Sequence, residues 1–121
     1  MSRLCTGRTK HAEVVLAITC GRAVLEQARQ AGYLVAIQAF GATLVTDTCW
    51  CMLGEPVIPP AATTLMTNSG KYAHYAPGLV GRGVHFASLA DCVEAACTAT
   101  ASDHPPQWLR PCAPEEIPSD V

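Results

Sequence analysis

Glu13-Val14-Val15-Leu16-Ala17-Ile18-Thr19 is a short β-branched and apolar run, and Cys20-Gly21 closes it. The run is nearly continuous in hydrophobicity, which marks a strand of the parallel type buried on both faces. After Gly21 the period changes. Val24, Leu25, Ala28 and Ala31 share one helical face, while Glu26, Gln27, Arg29 and Gln30 fall mainly on the other, and Gly32 is a natural stop. Tyr33 to Phe40 reads as a second short helical stretch, and Gly41 precedes the strand Thr43-Leu44-Val45-Thr46. This β-α-β rhythm predicts an α/β fold, a layered β-α-β fragment.

Working outward, Glu55-Pro56 to Pro59-Pro60 is a loop, because proline lacks a backbone donor and restricts the residue before it. Thr63 to Met66 reads as a further strand leading into an Asn68-Ser69-Gly70-Lys71 turn. Pro77-Gly78 and Gly81-Arg82-Gly83 punctuate a loop before the strand Val84-His85-Phe86. A helix from Leu89 to about Thr98 opens with Ser88 as N-cap and Asp91 three residues on. We expect one folded segment over 1–103 and a proline-rich, irregular tail over 104–121.

The chain has 121 residues, enough for one domain with a modest core. Half of it is hydrophobic and only 15% is charged, a balance suited to a piece that packs against a larger body. A net charge of −2 supplies no basic field, so we expect neither nucleic acid nor an anionic membrane as partner. No apolar run approaches the roughly 20 residues that cross a bilayer. Arg3, Arg8 and Lys10 ahead of the Val14 run imitate a signal peptide, but Glu13 and Arg22 hem that run in and a buried strand explains it. Seven cysteines cannot all pair within one chain. Unpaired thiols fit a reducing, cytoplasmic setting and metal ligation.

Among these cysteines, Cys49 stands at the end of the Thr43–Thr46 strand, where open α/β sheets place their ligands. A small buried hydrophobe is the competing reading. Cys51 reads as packing, with ligation the lesser alternative, since Cys-X-Cys is a weak metal signature. Cys92 shares a helix face with Leu89, Val93 and Ala96 and lies near a helix start, where free N–H groups and the dipole favour a thiolate. Cys97 points away from it and reads as structural; Cys5, Cys20 and Cys112 have no supporting context.

The segment Asn68-Ser69-Gly70-Lys71-Tyr72-Ala73-His74-Tyr75 offers amide, hydroxyl and ammonium groups that suit a carboxylate, and Gly70 permits close backbone approach. A polar turn with an exposed lysine is the alternative. Gly70-Lys71 is no phosphate loop, because Tyr72 stands where Ser or Thr is needed. His74 is either a proton shuttle or a packed neighbour of Tyr72 and Tyr75, and His85 and His104 carry less weight.

Three words together, Asp47-Thr48-Cys49-Trp50-Cys51-Met52-Leu53, Met66 to Tyr75, and Ser88-Leu89-Ala90-Asp91-Cys92-Val93-Glu94-Ala95-Ala96, resemble the C-terminal part of the catalytic domain of the aconitase X family. The similarity runs from about Val14 to about Ala99. Cys20-Gly21 and Ala87 depart from the family pattern, which tends to small hydroxylated residues and a glycine there. The resemblance implies an iron-dependent hydro-lyase, or dehydratase, acting on a small hydroxy acid. It implies an iron-sulfur cluster or iron held by three cysteines: Cys49, Cys92 and a third upstream of this chain. It assigns Asn68, Ser69 and Lys71 to the substrate and leaves the catalytic base to a separate swivelling domain. A complete subunit of that family is several times longer. This chain therefore reads as a fragment, incomplete alone, whose partners are the remainder of the catalytic domain and the swivel domain.

The Cys49 word looks like the bacterial and fungal branch, which implies cis-3-hydroxy-L-proline as substrate. Mevalonate 5-phosphate, the archaeal substrate, is the alternative, but no basic cluster stands ready for its phosphate. Two readings from other classes remain at this stage: a non-catalytic remnant, and a small thiol or zinc-binding module using Cys49, Cys51 and Cys92.

Overall fold

A computed structural model describes residues 1–101 of the chain. It contains two β-α-β units. In the first, β1 (Ala17–Cys20) pairs in parallel with β2 (Thr43–Thr46), in the register Ala17 to Thr43 through Cys20 to Thr46. Helices α2 (Arg22–Gln30) and α3 (Tyr33–Phe40) make the crossover. In the second, β3 (Thr64–Thr67) pairs in parallel with β4 (Gly83–Phe86), and α4 (Gly70–Val80) connects them. A short α1 (Ser2–Cys5) precedes both units and α5 (Leu89–Thr98) follows them. The α/β reading of the sequence therefore holds, with helical crossovers between parallel strands.

The joints follow from local chemistry. Gly32 (φ +79°) and Gly41 (φ +103°) end α2 and α3 in the left-handed region that glycine enters without penalty. At Gly41 a side chain is excluded twice, since a Cβ would also lie 3.1 Å from the Lys10 stem. Ser88 caps α5: its Oγ accepts the Asp91 amide at 3.1 Å and donates to Asp91 Oδ2 at 2.9 Å.

Helix α5 ties the molecule together. Val93 and Ala96 on its inner face join Cys5 of α1 and Phe40 of α3 in one buried cluster, with Val14 and Leu16 packed against it. The Ala96 carbonyl accepts the His11 amide at 2.7 Å. Cys5, which had no supporting context in the sequence, is thus a core residue, 1% exposed. Cys97 packs against the same cluster, as its structural reading requires.

Three expectations change. The first strand pairs only from Ala17, not from Glu13, because β2 is four residues long and offers partners no earlier. The Pro77-Gly78 pair does not begin a loop; α4 runs through it to Val80 and ends at Gly81, φ +63°. Proline in a helix interior costs on the order of 3 kcal/mol. Burial of Tyr72 and Ala76, capping by Ser69 and the ready-made φ of proline offset that. Finally, α2 buries none of its residues, and Val24 on its apolar face is 56% exposed.

The expected tail, 104–121, lies outside the described residues, as do His104 and Cys112. Among the described residues no helix is long and apolar enough to cross a membrane. The six cysteines among them are free thiols.

Candidate functional site

An open groove of about 1150 Å³ is lined by residues of both units. Cys49, Cys92, Asn68, Ser69 and Lys71 all line it, although they come from three separate segments of the chain. Each reaches the groove for a local reason. Thr43–Thr46 delivers the chain to Asp47, which adopts φ +56° and reverses its direction. Asp and Asn are the side-chain-bearing residues that best tolerate this region. Asp47 also accepts the Arg22 amide through Oδ1 at 2.9 Å and pairs with Arg22 Nε through Oδ2 at 2.9 Å. A residue at the end of β2 thereby caps the start of α2, whose own N-cap, Gly21, has no side chain to do so.

Past that turn the chain coils into a single 3-10 turn, Trp50–Met52, rather than staying extended. The Cys51 backbone N–H consequently faces the Cys49 sulfur, and this bond is the main reason the Cys49 thiol is held below its usual range. Lys71 Nζ, 3.9 Å from the same sulfur, adds to the effect. Cys51 is pushed the other way, first by loss of water around it and then by the neighbouring Cys49. The two thiols of Cys-X-Cys are therefore unequal, with Cys49 the better ligand or nucleophile.

The Asn68–Lys71 segment is the start of α4. Ser69 is its N-cap, and Ser69 Oγ accepts the Tyr72 amide at 3.2 Å. The Ser69 amide in turn donates to Thr67 Oγ1 at 3.1 Å. Ser69 thus has a structural duty, while its hydroxyl hydrogen remains available to a ligand. Lys71 is turned toward Cys49. Gly70 is not forced by crowding, since a Cβ there would meet only Phe86 Cζ, at an ordinary 3.7 Å.

Cys92 departs from its sequence expectation. It stands in the first turns of α5, but its amide already donates to the Ser88 carbonyl at 2.9 Å. Burial pushes its thiol up to about 11, and Asp91 beside it adds to the rise. Desolvation outweighs the helix dipole here. His74 packs edge-on against Tyr75, centroids 4.9 Å apart, as a neighbour and away from the groove.

Tyr72 is the residue sequence reasoning passed over. It is 3% exposed, lines the groove and stacks against Trp50 with ring centroids 5.4 Å apart. Its hydroxyl is the one buried side-chain N or O without a hydrogen-bond partner among the described residues. A buried orphan hydroxyl is costly and marks a place where a partner is wanted. The available signal was its position three residues after Ser69, which turns it inward beneath the cap.

Among the described residues no three His, Cys, Asp or Glu side chains cluster closely enough to hold a metal ion. That geometry does not favour a zinc module built on Cys49, Cys51 and Cys92. Cys49 and Cys92 both line the groove, and cysteine is the residue type that iron-sulfur sites take as ligand.

Comparison with known proteins identifies the family of the chain. The family model described as the aconitase X third domain matches residues 1–98, reaching back beyond Val14 to the start of the chain. A cis-3-hydroxy-L-proline dehydratase of Pseudomonas aeruginosa is 62% identical over 109 residues, which cover 90% of this chain and 19% of that protein. A cis-3-hydroxy-L-proline dehydratase of Hypocrea jecorina is 50% identical over 115 residues, 95% of this chain and 19% of that protein. The chain thus spans about a fifth of the length of the curated relatives it matches.

Proposed function

The chain belongs to the aconitase X family, and from that premise we propose that it is one part of a dehydratase acting on a small hydroxy acid, with cis-3-hydroxy-L-proline as substrate. The observation that carries this reading is that Cys49, Cys92, Asn68, Ser69 and Lys71 all line one groove, with Lys71 Nζ 3.9 Å from the Cys49 sulfur. Identities of 62% and 50% to dehydratases favour it over a remnant without chemistry.

In this reading Cys49 and Cys92 are two of the ligands of an iron-sulfur centre, and a third comes from outside the chain. The centre supplies a Lewis acid for the departing hydroxyl. The chain's own residues do the rest of what is assigned here. The Cys51 amide and Lys71 favour the thiolate of Cys49. Cys92 is stored as a thiol and must give up its proton when it ligates. Asn68 and the free hydrogen of Ser69 donate to the substrate carboxylate, and Lys71 supplies positive charge to both that carboxylate and the Cys49 sulfur. The proton α to the carboxylate is taken by a base from the rest of the enzyme, which we place in a swivelling domain. The compartment we propose is the cytoplasm.

The test is a graft in which this chain replaces the matching region of the Pseudomonas aeruginosa dehydratase. We expect the graft to dehydrate cis-3-hydroxy-L-proline and the isolated chain not to. Cys49→Ser and Cys92→Ser should each reduce the graft to background and remove its iron absorption. Lys71→Met should keep the iron but weaken substrate binding by roughly 1.5–3 kcal/mol, the size of a charged hydrogen bond. An inactive graft that folds and binds iron sinks the dehydratase reading of this chain. Unchanged KM and kcat in Lys71→Met remove the substrate role of the Asn68–Lys71 segment.

A further inference from the structure

The groove has a second property, independent of its thiols. Among the described residues β1 pairs only with β2, and β3 only with β4, so there each presents an unpaired edge. The segments that carry those two edges, residues 13–19 and 61–69, both line the groove. Helix α5 packs on β3 and on α1, spanning both units, and Val93 lines the groove.

The hydrogen-bond parity fixes which backbone groups look into it. The Leu16 and Cys20 carbonyls accept the Thr43 and Asp47 amides at 2.8 and 3.1 Å. In a parallel ladder alternate residues face one neighbour, so Leu16, Ile18 and Cys20 address β2 while Ala17 and Thr19 address the groove. Likewise the Thr63 and Thr67 carbonyls accept the Gly83 and Ala87 amides, at 3.2 and 3.0 Å, which leaves Thr64 and Met66 addressing the groove.

We infer that an extended segment from the part of the aconitase X chain outside these residues lies between β1 and β3 as a fifth strand, joining two isolated two-stranded ladders into one sheet. Three observations choose this occupant. A two-stranded parallel ladder is marginal alone, and parallel sheets are interior structures; yet no residue of any of the four strands is fully buried here. The walls are apolar, with Leu16, Ile18 and Leu65 among them, which calls for a β-branched or apolar segment free of proline. The matched relatives carry about four-fifths of their length beyond the part this chain covers, which is ample for such a segment.

The measurement is amide-resolved hydrogen exchange on the isolated chain and on the same residues grafted into the Pseudomonas aeruginosa dehydratase. Four amides are diagnostic: Ala17, Thr19, Thr64 and Met66. We expect them to exchange freely in the isolated chain and to slow by about tenfold or more in the graft. The Ile18 and Leu65 amides, already bonded within the ladders, should be protected in both. Protection of the four amides in an isolated monomer overturns the inference, because β1 and β3 then close on each other. Protection that appears only in a dimer of the isolated chain overturns it in favour of a second copy. Free exchange in a folded graft overturns it as well. Thr19→Pro, which removes a groove-facing amide alone, should leave the isolated chain folded and lower the yield of folded graft. Ile18→Pro should unfold both. If Thr19→Pro also unfolds the isolated chain, Thr19 is not at a free edge and the inference fails. None of these readouts depends on catalysis, so they stand apart from the dehydratase reading.

Discussion

Cys49 and Cys92 bring the same side chain to one groove, and their surroundings push its acidity in opposite directions. An amide and an ammonium favour the Cys49 thiolate, whereas burial favours the Cys92 thiol. Only the thiolate attacks an alkylating agent, and its fraction rises with pH through the pKa. In the iron-free chain, alkylation of Cys49 by iodoacetamide should therefore reach half its maximal rate below pH 9.0, the ordinary thiol value. That of Cys92 should rise only toward about 11. Lys71→Met should move the Cys49 profile upward and leave that of Cys92 in place. Peptide mapping by mass spectrometry at a series of pH values reads all three. The sequence singled out Cys49 and Cys92, because the words around them are distinctive. It could not show their opposite acidities, which depend on a 3-10 turn and on burial. Tyr72 escaped notice for the same reason, since an orphan hydroxyl exists only after the chain has packed.

Among the elements, the second unit rests on Arg82, which the sequence displayed only as the middle of a Gly-Arg-Gly loop. Its guanidinium donates to the Ala62 carbonyl at 2.6 Å and the Pro59 carbonyl at 3.3 Å, and pairs with Glu55 at 3.0 Å. One planar fork thus ties the proline-rich loop between β2 and β3 to the start of β4. Lysine has a single point of donation and does not reproduce that geometry. Arg82→Lys should lose about 1.5–3 kcal/mol, the worth of a charge-assisted bond, as a lower urea midpoint with unchanged slope. It should also speed amide exchange over 55–62 before any effect reaches β1 and β2. Element types were largely legible. Thr43–Thr46 and Leu89–Thr98 have the bounds that their flanking glycine and cap announce. The failure at Pro77 is instructive, because a local breaker yielded to burial of Tyr72 and Ala76 on the same helix.

For the molecule as a whole, the core among the described residues is small. Phe40 and Val93, both 0% exposed, are with Cys5 the largest of its fully buried side chains. Phe40→Ala should cost about 3–5 kcal/mol, since it removes a large ring and leaves a cavity. In a chain with so small a core, that loss should abolish the cooperative thermal transition seen by circular dichroism. The same substitution in the grafted enzyme should only lower Tm, because the surrounding protein supplies further burial. The hydrophobic face of α2 explains why the whole was less legible than its parts. Its apolar period is real, but Val24 is exposed because nothing among the described residues packs over it. Amphipathicity says that a face will be covered and not by what.

The turn at Asp47 limits how this chain can drift by mutation. Single-base changes in an aspartate codon lead to Asn, Gly, Glu, Ala, Val, His or Tyr. The left-handed backbone there, φ +56°, disfavours the larger and branched members of that set. Glycine keeps the backbone but removes the acceptor that caps α2 at Arg22. Asparagine alone keeps both the conformation and an oxygen facing the Arg22 amide. One codon thus has a single structurally quiet neighbour, immediately before the segment that presents Cys49, so genetic change should be tolerated there less readily than exposure at the surface suggests.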